Sequence, residues 1–120
     1  MKTTELMIGD WVYYWHPRKQ YNVPMRITKK LFSLVNEVDD SLSPIPLTPE
    51  ILAKNGFVYQ DLPFEDFYEG HGLQIHGGNY ADRHSNWYII CGINVAMDIT
   101  YVHQLQHALK LCKIKKEIVL

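Results

Sequence analysis

The chain has 120 residues, of which 47% are hydrophobic and 21% are charged, and its formal net charge is −1. This composition is typical of a folded globular protein and excludes a disordered chain, and the length predicts a single domain over residues 1–120. No apolar run approaches the roughly 20 residues that span a bilayer, and the polar N-terminus lacks the apolar core of a secretory signal. We therefore predict a cytoplasmic protein that makes no membrane contact.

Charge is unevenly distributed along the chain. Residues 1–38 carry six Lys or Arg against three Asp or Glu, residues 39–100 carry two against nine, and residues 101–120 carry four against one. A protein that binds duplex nucleic acid usually has one strongly basic face, so this distribution argues against a large duplex footprint. The two cysteines, Cys91 and Cys112, belong to no CxxC or Cys/His cluster, and we expect both to be reduced, buried thiols.

The N-terminal third is predicted to form an antiparallel β-meander, similar to an SH3 barrel. The segment Trp11–His16 is aromatic and β-branched, which is typical of a strand. A second strand is predicted over residues 23–28 and a third over residues 31–38. Residues 39–46 are rich in Asp, Ser and Pro, and we expect them to form a linker.

A short helix and a second β segment are predicted next. Thr48 is a good N-cap, Pro49 suits the first helical position, and Gly56 fits the stop, so a helix is predicted over residues 49–55. Gly70 and Gly72 indicate a bulge or a close backbone approach within a strand. Strands are predicted over residues 57–60, 67–76, 87–91 and 93–97.

The last predicted element is a packing helix over residues 99–113, capped by Asp98 or Thr100, which makes the fold class α+β. Helical spacing places His103, His107 and Lys110 opposite an apolar face. The residues of that face are Tyr101, Val102, Leu105, Ala108, Leu109 and Cys112. Leu111 lies outside the apolar face, and the chain ends in Ile118-Val119-Leu120. These apolar positions favour a homo-oligomer interface, with a tail that caps the core as the alternative.

Two histidine groups are candidate sites. His103 and His107 have the spacing that can present two imidazoles to zinc, but no third ligand is near in sequence, so solvated surface histidines are the favoured interpretation. The loop over residues 76–86 combines imidazole, guanidinium and aromatic groups with backbone N–H groups at Gly77-Gly78 that could meet an anion. The alternatives for this loop are an ordinary hairpin tip and a site of acid–base catalysis.

The aromatic N-terminal strand is a further candidate site. Trp11, Tyr13 and Trp15 share one face, and Val12, Tyr14 and His16 share the other, so one face packs the core while the other displays rings. Rings beside Arg18 and Arg26 could stack a base and pair a phosphate; the alternative is that the rings only cover a small core. The combined set of predicted ligand-binding residues is Trp11, Tyr14, Arg18, Arg26, His76, Tyr80, Arg83, His84 and Trp87.

No catalytic residue or cofactor is predicted. The acidic residues Asp61, Glu65, Asp66 and Glu69 are irregularly spaced in a turn and are interpreted as a solvated face. No Ser or Cys lies in a recognisable nucleophile motif. The sequence therefore favours a binding protein over an enzyme.

Three segments resemble a group of small phage and prophage proteins of Bacteroidetes. Residues 44–57 are similar to its PIPLT-x-EIL-x-x-x-GF stretch, residues 101–106 to its YVHQLQ helix, and Ile8-Gly9-Asp10-Trp11-Val12 to its start, in the same order. The resemblance supplies no catalytic residues. It implies a phage accessory protein that acts by binding in the bacterial cytoplasm, for example a sponge that sequesters a nucleotide-derived immune signal of cyclic-nucleotide or ADP-ribose type. The alternatives are a module that binds a host or virion protein and a small hydrolase that uses the histidines around residues 71–84, which include His71, His76 and His84.

Overall fold

A computed structural model describes residues 1, 5–34, 41–63, 66–77, 87–91 and 95–120. The chain divides into two compact units, Met1–Pro46 (unit 1) and Leu47–Leu120 (unit 2). Among the described residues, unit 1 contains a three-stranded antiparallel sheet and a short helix, and unit 2 contains a five-stranded antiparallel sheet, a short helix and a longer C-terminal helix. The α+β class is confirmed, while folding of residues 1–120 as one domain stays a prediction.

Unit 1 is built around the hairpin of β1 (Trp11–His16) and β2 (Tyr21–Arg26). The third strand, β3 (Leu42–Pro44), pairs antiparallel with β1, so the strand order is β2-β1-β3. A simple meander would place β2 in the centre, whereas here β1 is central. The third strand lies in the segment that was expected to be a linker, and the likeness to an SH3 barrel stays a prediction.

The predicted strand over residues 31–38 is wrong at its start. Helix α1 (Lys29–Leu34) occupies this part of the chain. The hydroxyl oxygen of Thr28 accepts the N–H of Leu31 at 3.1 Å, which satisfies one of the free donors of the first helical turn. The loose apolar alternation after Lys29 is therefore outweighed by a local helix start, and residues 35–38 lie outside the described part of the chain.

The core of unit 1 is a small apolar cluster on one face of its sheet. Its fully packed members are Leu6, Val12, Ile27 and Leu42, and Tyr14 packs against them. The buried carboxylate of Asp10 accepts the N–H of Met7 at 2.7 Å, closing the turn that leads into β1.

Unit 2 begins with helix α2 (Pro49–Lys54), which confirms the predicted helix. The hydroxyl oxygen of Thr48 accepts the N–H of Ile51 at 3.3 Å, and Gly56 ends the helix with φ +87°. In the described part of unit 2, five antiparallel strands then follow one another in sequential order across the sheet. They are β4 (Val58–Asp61), β5 (Asp66–Gly70), β6 (Leu73–Gly77), β7 (Trp87–Cys91) and β8 (Val95–Asp98).

The predicted long strand over residues 67–76 is two strands joined by a tight turn. His71 and Gly72 both have positive φ, 53° and 78°, which is the requirement of a two-residue hairpin turn that matches sheet twist. The expected close backbone approach is present at Gly70, where an added Cβ would lie 2.6 Å from the carbonyl oxygen of Gly56. The glycines therefore mark a hairpin end and not a bulge within one strand.

The C-terminal helix α3 (Val102–Leu111) confirms the predicted packing helix, with a later start. Tyr101 is its N-cap residue and donates its N–H to Oε1 of Gln104 at 3.1 Å, so the predicted caps Asp98 and Thr100 are wrong. None of the helices in the described ranges is long and apolar enough to cross a membrane. The predicted apolar face is buried at Val102, Leu105, Ala108 and Leu109.

Cys112 is disulfide-bonded, so the prediction that it is a reduced thiol is wrong. The sequence contains one other cysteine, Cys91. A disulfide restricts the unfolded chain and so stabilises the fold, typically by about 2–4 kcal/mol. Disulfides persist in oxidising compartments, whereas cytosolic thiols are kept reduced.

We expect the purified, air-oxidised protein to show no thiol titre after denaturation without reductant. Peptide mapping should recover the peptide of Cys112 linked to that of Cys91. Replacing Cys112 with Ser should lower the free energy of unfolding by about 2–4 kcal/mol. Detection of two free thiols in the denatured, unreduced protein would contradict the assignment.

Candidate functional site

The face of the unit 1 sheet that points away from its core carries a row of aromatic side chains. Trp11, Tyr13 and Trp15, here called the ring row, alternate along β1 with Val12, which is fully buried, and with Tyr14. Trp15 is 44% exposed, and Trp11 and Tyr13 are half-buried. The expected division of β1 into a packed face and a ring-displaying face therefore matches the structure.

Arg26 completes the ring row at one end. It is the cross-strand partner of Trp11, and its Cζ lies 4.9 Å from the centroid of the Trp11 ring. A guanidinium within about 6 Å of an indole face is attracted to it by the ring quadrupole. Because the two side chains come from adjacent strands, the sheet itself holds a flat cation against a flat aromatic surface.

The surrounding hairpin is strongly cationic. Residues 11–26 contain three Lys or Arg and no Asp or Glu. Arg18 and Lys19 are exposed in the turn after β1, at the opposite end of the ring row from Arg26. The ring row is therefore flanked by positive charge at both ends, which suits a ligand that is planar and anionic.

Tyr14 does not join this surface. It lies on the opposite face of β1 and packs against the core cluster of unit 1. Of the predicted ligand-binding residues in unit 1, the structure brings Trp11 and Arg26 into contact, leaves Arg18 exposed in the adjoining turn, and assigns Tyr14 to the core.

In unit 2, His76 lies within a stack of three rings that runs across three strands. Phe67, His76 and Tyr88, here called the ring stack, have centroid separations of 5.0 and 5.4 Å and interplanar angles of 28° and 12°. Nε2 of His76 lies 3.1 Å from Oε1 of Gln74. The imidazole is thus held between two aromatic faces, and Tyr88 is the exposed end of the stack.

Trp87 lies on the other face of the same sheet. It pairs with Gly77, the neighbour of His76, so its side chain points away from the ring stack. The Trp87 ring is buried and contacts the edge of Tyr68 at a centroid distance of 5.9 Å. The structure therefore does not bring His76 and Trp87 into one site, and Tyr80, Arg83 and His84 lie outside the described residues.

Tyr13, Trp15, Phe67 and Tyr88 complete the two ring surfaces but are absent from the predicted set. The alternation of β1 indicates Tyr13 and Trp15, since they share a face with Trp11. Phe67 and Tyr88 join His76 only through the registers of two strand pairs. No local pattern in the sequence specifies those registers.

The predicted hydrolase histidine His71 has a structural role in the described part of unit 2. Its Nε2 lies 2.9 Å from the carbonyl oxygen of Asn55, and its ring contacts the edge of Phe57. Through these contacts it ties the β5–β6 hairpin to the end of α2.

The helical histidines differ from their prediction. His103 is 2% exposed, so its assignment to a solvated helix face is wrong, while His107 is half-buried. The His103 ring stacks on Tyr101 and contacts the edge of the His107 ring. Within the described ranges, no group of three or more His, Cys, Asp or Glu side chains is placed to hold a metal ion.

One residue of the acidic turn is bound to a tyrosine. The hydroxyl of Tyr59 donates to Oδ2 of Asp66 at 2.7 Å. This hydrogen bond, with smaller contributions from the charges of Asp66 and Asp61, raises the pKa of Tyr59 to about 12. Burial, then the charges of Glu50 and Asp66, raises the pKa of the neighbouring Tyr68.

We expect the Tyr59 hydroxyl to ionise later than an ordinary phenol in an alkaline titration. The unfolded chain loses this proton near pH 10.0 while the folded chain keeps it to about 12, so this hydroxyl lowers folding stability as pH rises across that window. The difference in phenolate absorbance between the native sequence and Tyr59→Phe should titrate near pH 12. Asp66→Asn should move that midpoint toward 10, and an unmoved midpoint would show that Asp66 is not the cause.

Comparisons of the chain with protein-family models, with curated proteins and with solved structures find no match. The residues and their geometry are therefore the basis for a functional assignment.

Proposed function

We propose that this chain is a non-enzymatic binding protein for nucleotide-derived ligands, and that the ring row of unit 1 is its binding surface. The observation that carries the proposal is the set of three rings on the non-core face of β1 with Arg26 stacked against Trp11. The sheet buries Val12 on one face and carries two half-buried rings and the exposed Trp15 on the other, and exposed aromatic side chains of this kind favour contact with a partner.

The chemistry of the surface matches the two parts of a nucleotide. Aromatic faces stack any base, because every base presents a π face. Guanidinium groups bind phosphate through paired charge-assisted hydrogen bonds, and Arg18 and Arg26 are the arginines nearest the ring row in the β1–β2 hairpin. The absence of Asp and Glu from residues 11–30 removes repulsion of an anionic ligand within the hairpin.

The resemblance to small phage proteins supplies the biological setting of the proposal. In that setting the protein sequesters a nucleotide-derived immune signal in the cytoplasm of the bacterial host. The disulfide of Cys112 is the observation against this compartment, because cytosolic thiols are kept reduced. Finding the protein in an oxidising compartment would remove the cytoplasmic setting and leave the binding surface unchanged.

The binding proposal is tested by incubation with cyclic dinucleotides, ADP-ribose and mononucleotides, followed by thermal unfolding and identification of whatever is released. A ligand at 100 times its dissociation constant should raise the free energy of unfolding by about 2.7 kcal/mol. Release of intact ligand supports sequestration, and release of altered ligand supports an enzyme. Binding by no nucleotide-type compound, oligonucleotides included, would refute the proposal.

Variants locate the site. Arg26→Gln and Trp15→Leu should weaken binding, because each removes a group of the proposed surface. Tyr21→Leu is the matched control, since Tyr21 is also an exposed ring of the β1–β2 hairpin but pairs with His16 on the opposite face. Equal losses in all three variants would show that the ring row is not the binding surface.

A second candidate, a protein-binding module, is favoured by strand β4. Among the strands that the structure describes, β4 is at the end of its sheet and pairs with β5 alone. Val58, Tyr59 and Leu62 lie on or beside it and are exposed. An edge strand with apolar side chains can accept a peptide as an added strand. Homo-oligomer formation through exposed Leu111 likewise stays a prediction.

A further inference from the structure

The spacing of the ring row restricts the kind of nucleotide ligand that fits it. Side chains two residues apart on a strand are separated by about 6.7 Å, so the rings of Trp11, Tyr13 and Trp15 recur at this interval along β1. One strand of a duplex rises by only about 3.4 Å per nucleotide. Bases that occupy successive rings must therefore be drawn apart from one another, and only a single strand permits this.

Cationic side chains lie at both ends of the ring row, along the same strand direction as the rings. Arg26 lies at the Trp11 end of the row, and Arg18 lies in the turn beyond its Trp15 end, whereas Lys19 lies over the Tyr21 ring. A compact mononucleotide would cover one ring and reach one of these ends. A linear chain with a phosphate between successive bases covers all three rings and brings backbone charge to both ends.

The turn end of the ring row is open to solvent. Trp15, at the turn end of the row, is 44% exposed, and Arg18 in the adjoining turn is exposed. Single-stranded nucleic acids bind to open sheet surfaces of this kind, where two or three bases stack on aromatic side chains.

We propose that the ring row binds single-stranded nucleic acid, with one base on each of Trp11, Tyr13 and Trp15 and with the backbone phosphates neutralised by Arg26 and Arg18. This inference rests on the proposed function and specifies its ligand as a linear strand of at least three nucleotides. The ring spacing and the charges recognise RNA and DNA strands alike, so the two sources are separated by experiment.

The test is fluorescence anisotropy of the full chain with labelled oligouridine and oligothymidine of two, three, four and eight nucleotides. Affinity should rise up to three or four nucleotides and then level off, and a duplex of the same sequence should bind more weakly. Removing one ring, as in Trp15→Ala or Tyr13→Leu, should weaken binding of the octamer by about 5- to 150-fold, with Tyr21→Leu as the unaffected control.

Salt dependence tests the cations separately. The logarithm of the binding constant should fall with the logarithm of salt concentration by about 0.7 per phosphate contacted, and Arg26→Gln should reduce that slope by about 0.7. Lys29→Gln is the matched control, because Lys29 is an exposed cation in α1 and not in the sheet. A melting temperature of Trp15→Ala equal to that of the native sequence would establish that the exposed Trp15 ring was removed without loss of the fold.

The outcomes separate this inference from the proposed function. If mononucleotides or cyclic dinucleotides bind as tightly as the octamer, the inference is overturned while the proposed function stands. If neither nucleotides nor oligonucleotides bind, both are overturned. Binding of oligouridine alone supports the inference with RNA as the source, because the 2′-hydroxyl distinguishes RNA from DNA, and equal binding of both strands supports it without that distinction.

Discussion

Replacing Leu105 with Ala should lower the free energy of unfolding by about 2–5 kcal/mol. Leu105 is fully buried at the centre of α3, so truncating it removes apolar contacts and leaves a cavity that the packed neighbours only partly fill. A domain of this size is stable by only about 5–15 kcal/mol, so the loss is a large fraction of the total. Urea unfolding followed by tryptophan fluorescence measures it.

Leu111→Ala is the matched control for this prediction. The same substitution at the last residue of the same helix affects a side chain that is 72% exposed, and its effect should lie within about 0.5 kcal/mol of zero. The intrinsic helix propensities of the exchanged residues are the same at both positions, so the difference isolates burial. Equal losses at the two sites would contradict the placement of the α3 faces, and a large loss at Leu111 alone would support an oligomer interface there.

The sequence predicted α3 well because its apolar residues recur at the helical period. Val102, Leu105, Ala108 and Leu109 form one stripe whatever the helix packs against. No periodic pattern in the sequence indicated that His103 is buried. His103 lies opposite that stripe and is nevertheless buried, with Tyr101 and His107 both in contact with its ring.

Local chemistry outweighed apolar pattern in unit 1. Residues 31–34 alternate loosely, as a strand would, but the hydroxyl of Thr28 caps the first turn of a helix. The strand that completes the sheet then comes from Leu42–Pro44, and its pairing with β1 depends on contacts between residues about 30 positions apart. Pairing of this kind is set by the tertiary structure and not by local composition.

The candidate site was partly predictable for a related reason. Alternation along β1 separates its side chains into two faces, but both faces carry rings, so composition does not indicate which one packs the core. The structure shows that the face of Val12 packs the core, because Val12 clusters with Leu6, Ile27 and Leu42. The contact between Arg26 and Trp11 needed the hairpin register, which follows from the length of the turn between β1 and β2.

Replacing Asn55 with Ala should lower the free energy of unfolding by about 2–4 kcal/mol. This fully buried residue ends α2, and its side chain joins the helix to the C-terminal tail. Its Nδ2 donates to the carbonyl oxygens of Ile51 and Val119, both at 2.8 Å, and its Oδ1 accepts the N–H of Val119 at 2.8 Å. Removal of the amide leaves the N–H and carbonyl of Val119 without this partner, whereas the carbonyl of Ile51 keeps the backbone N–H of residue 55. A buried unsatisfied group costs about 1–3 kcal/mol.

The neighbouring Lys54 provides the control. Its Nζ donates to the carbonyl oxygen of Leu120, but this contact is exposed, so Lys54→Met should change stability by less than about 0.5 kcal/mol. Hydrogen exchange at Val119 should accelerate in Asn55→Ala and remain slow in Lys54→Met. Retention of slow exchange in both variants would show that the buried amide does not hold the tail.

Asn55→Asp separates the lost hydrogen bonds from lost volume, because the two side chains have nearly the same shape. The acceptor toward the N–H of Val119 is kept, but a carboxylate would face the carbonyl oxygens of Ile51 and Val119, to which only a donor can bind. Burial beside these oxygens favours the protonated acid and raises the pKa of the introduced carboxyl above its unfolded value near 3.9. The free energy of unfolding of Asn55→Asp should therefore approach that of the native sequence as pH falls from 7 toward 4. The difference between the two should grow as pH rises. A stability difference that does not change with pH would show that the introduced carboxyl is solvated. The tail would then be held by burial of Ile118 and not by Asn55.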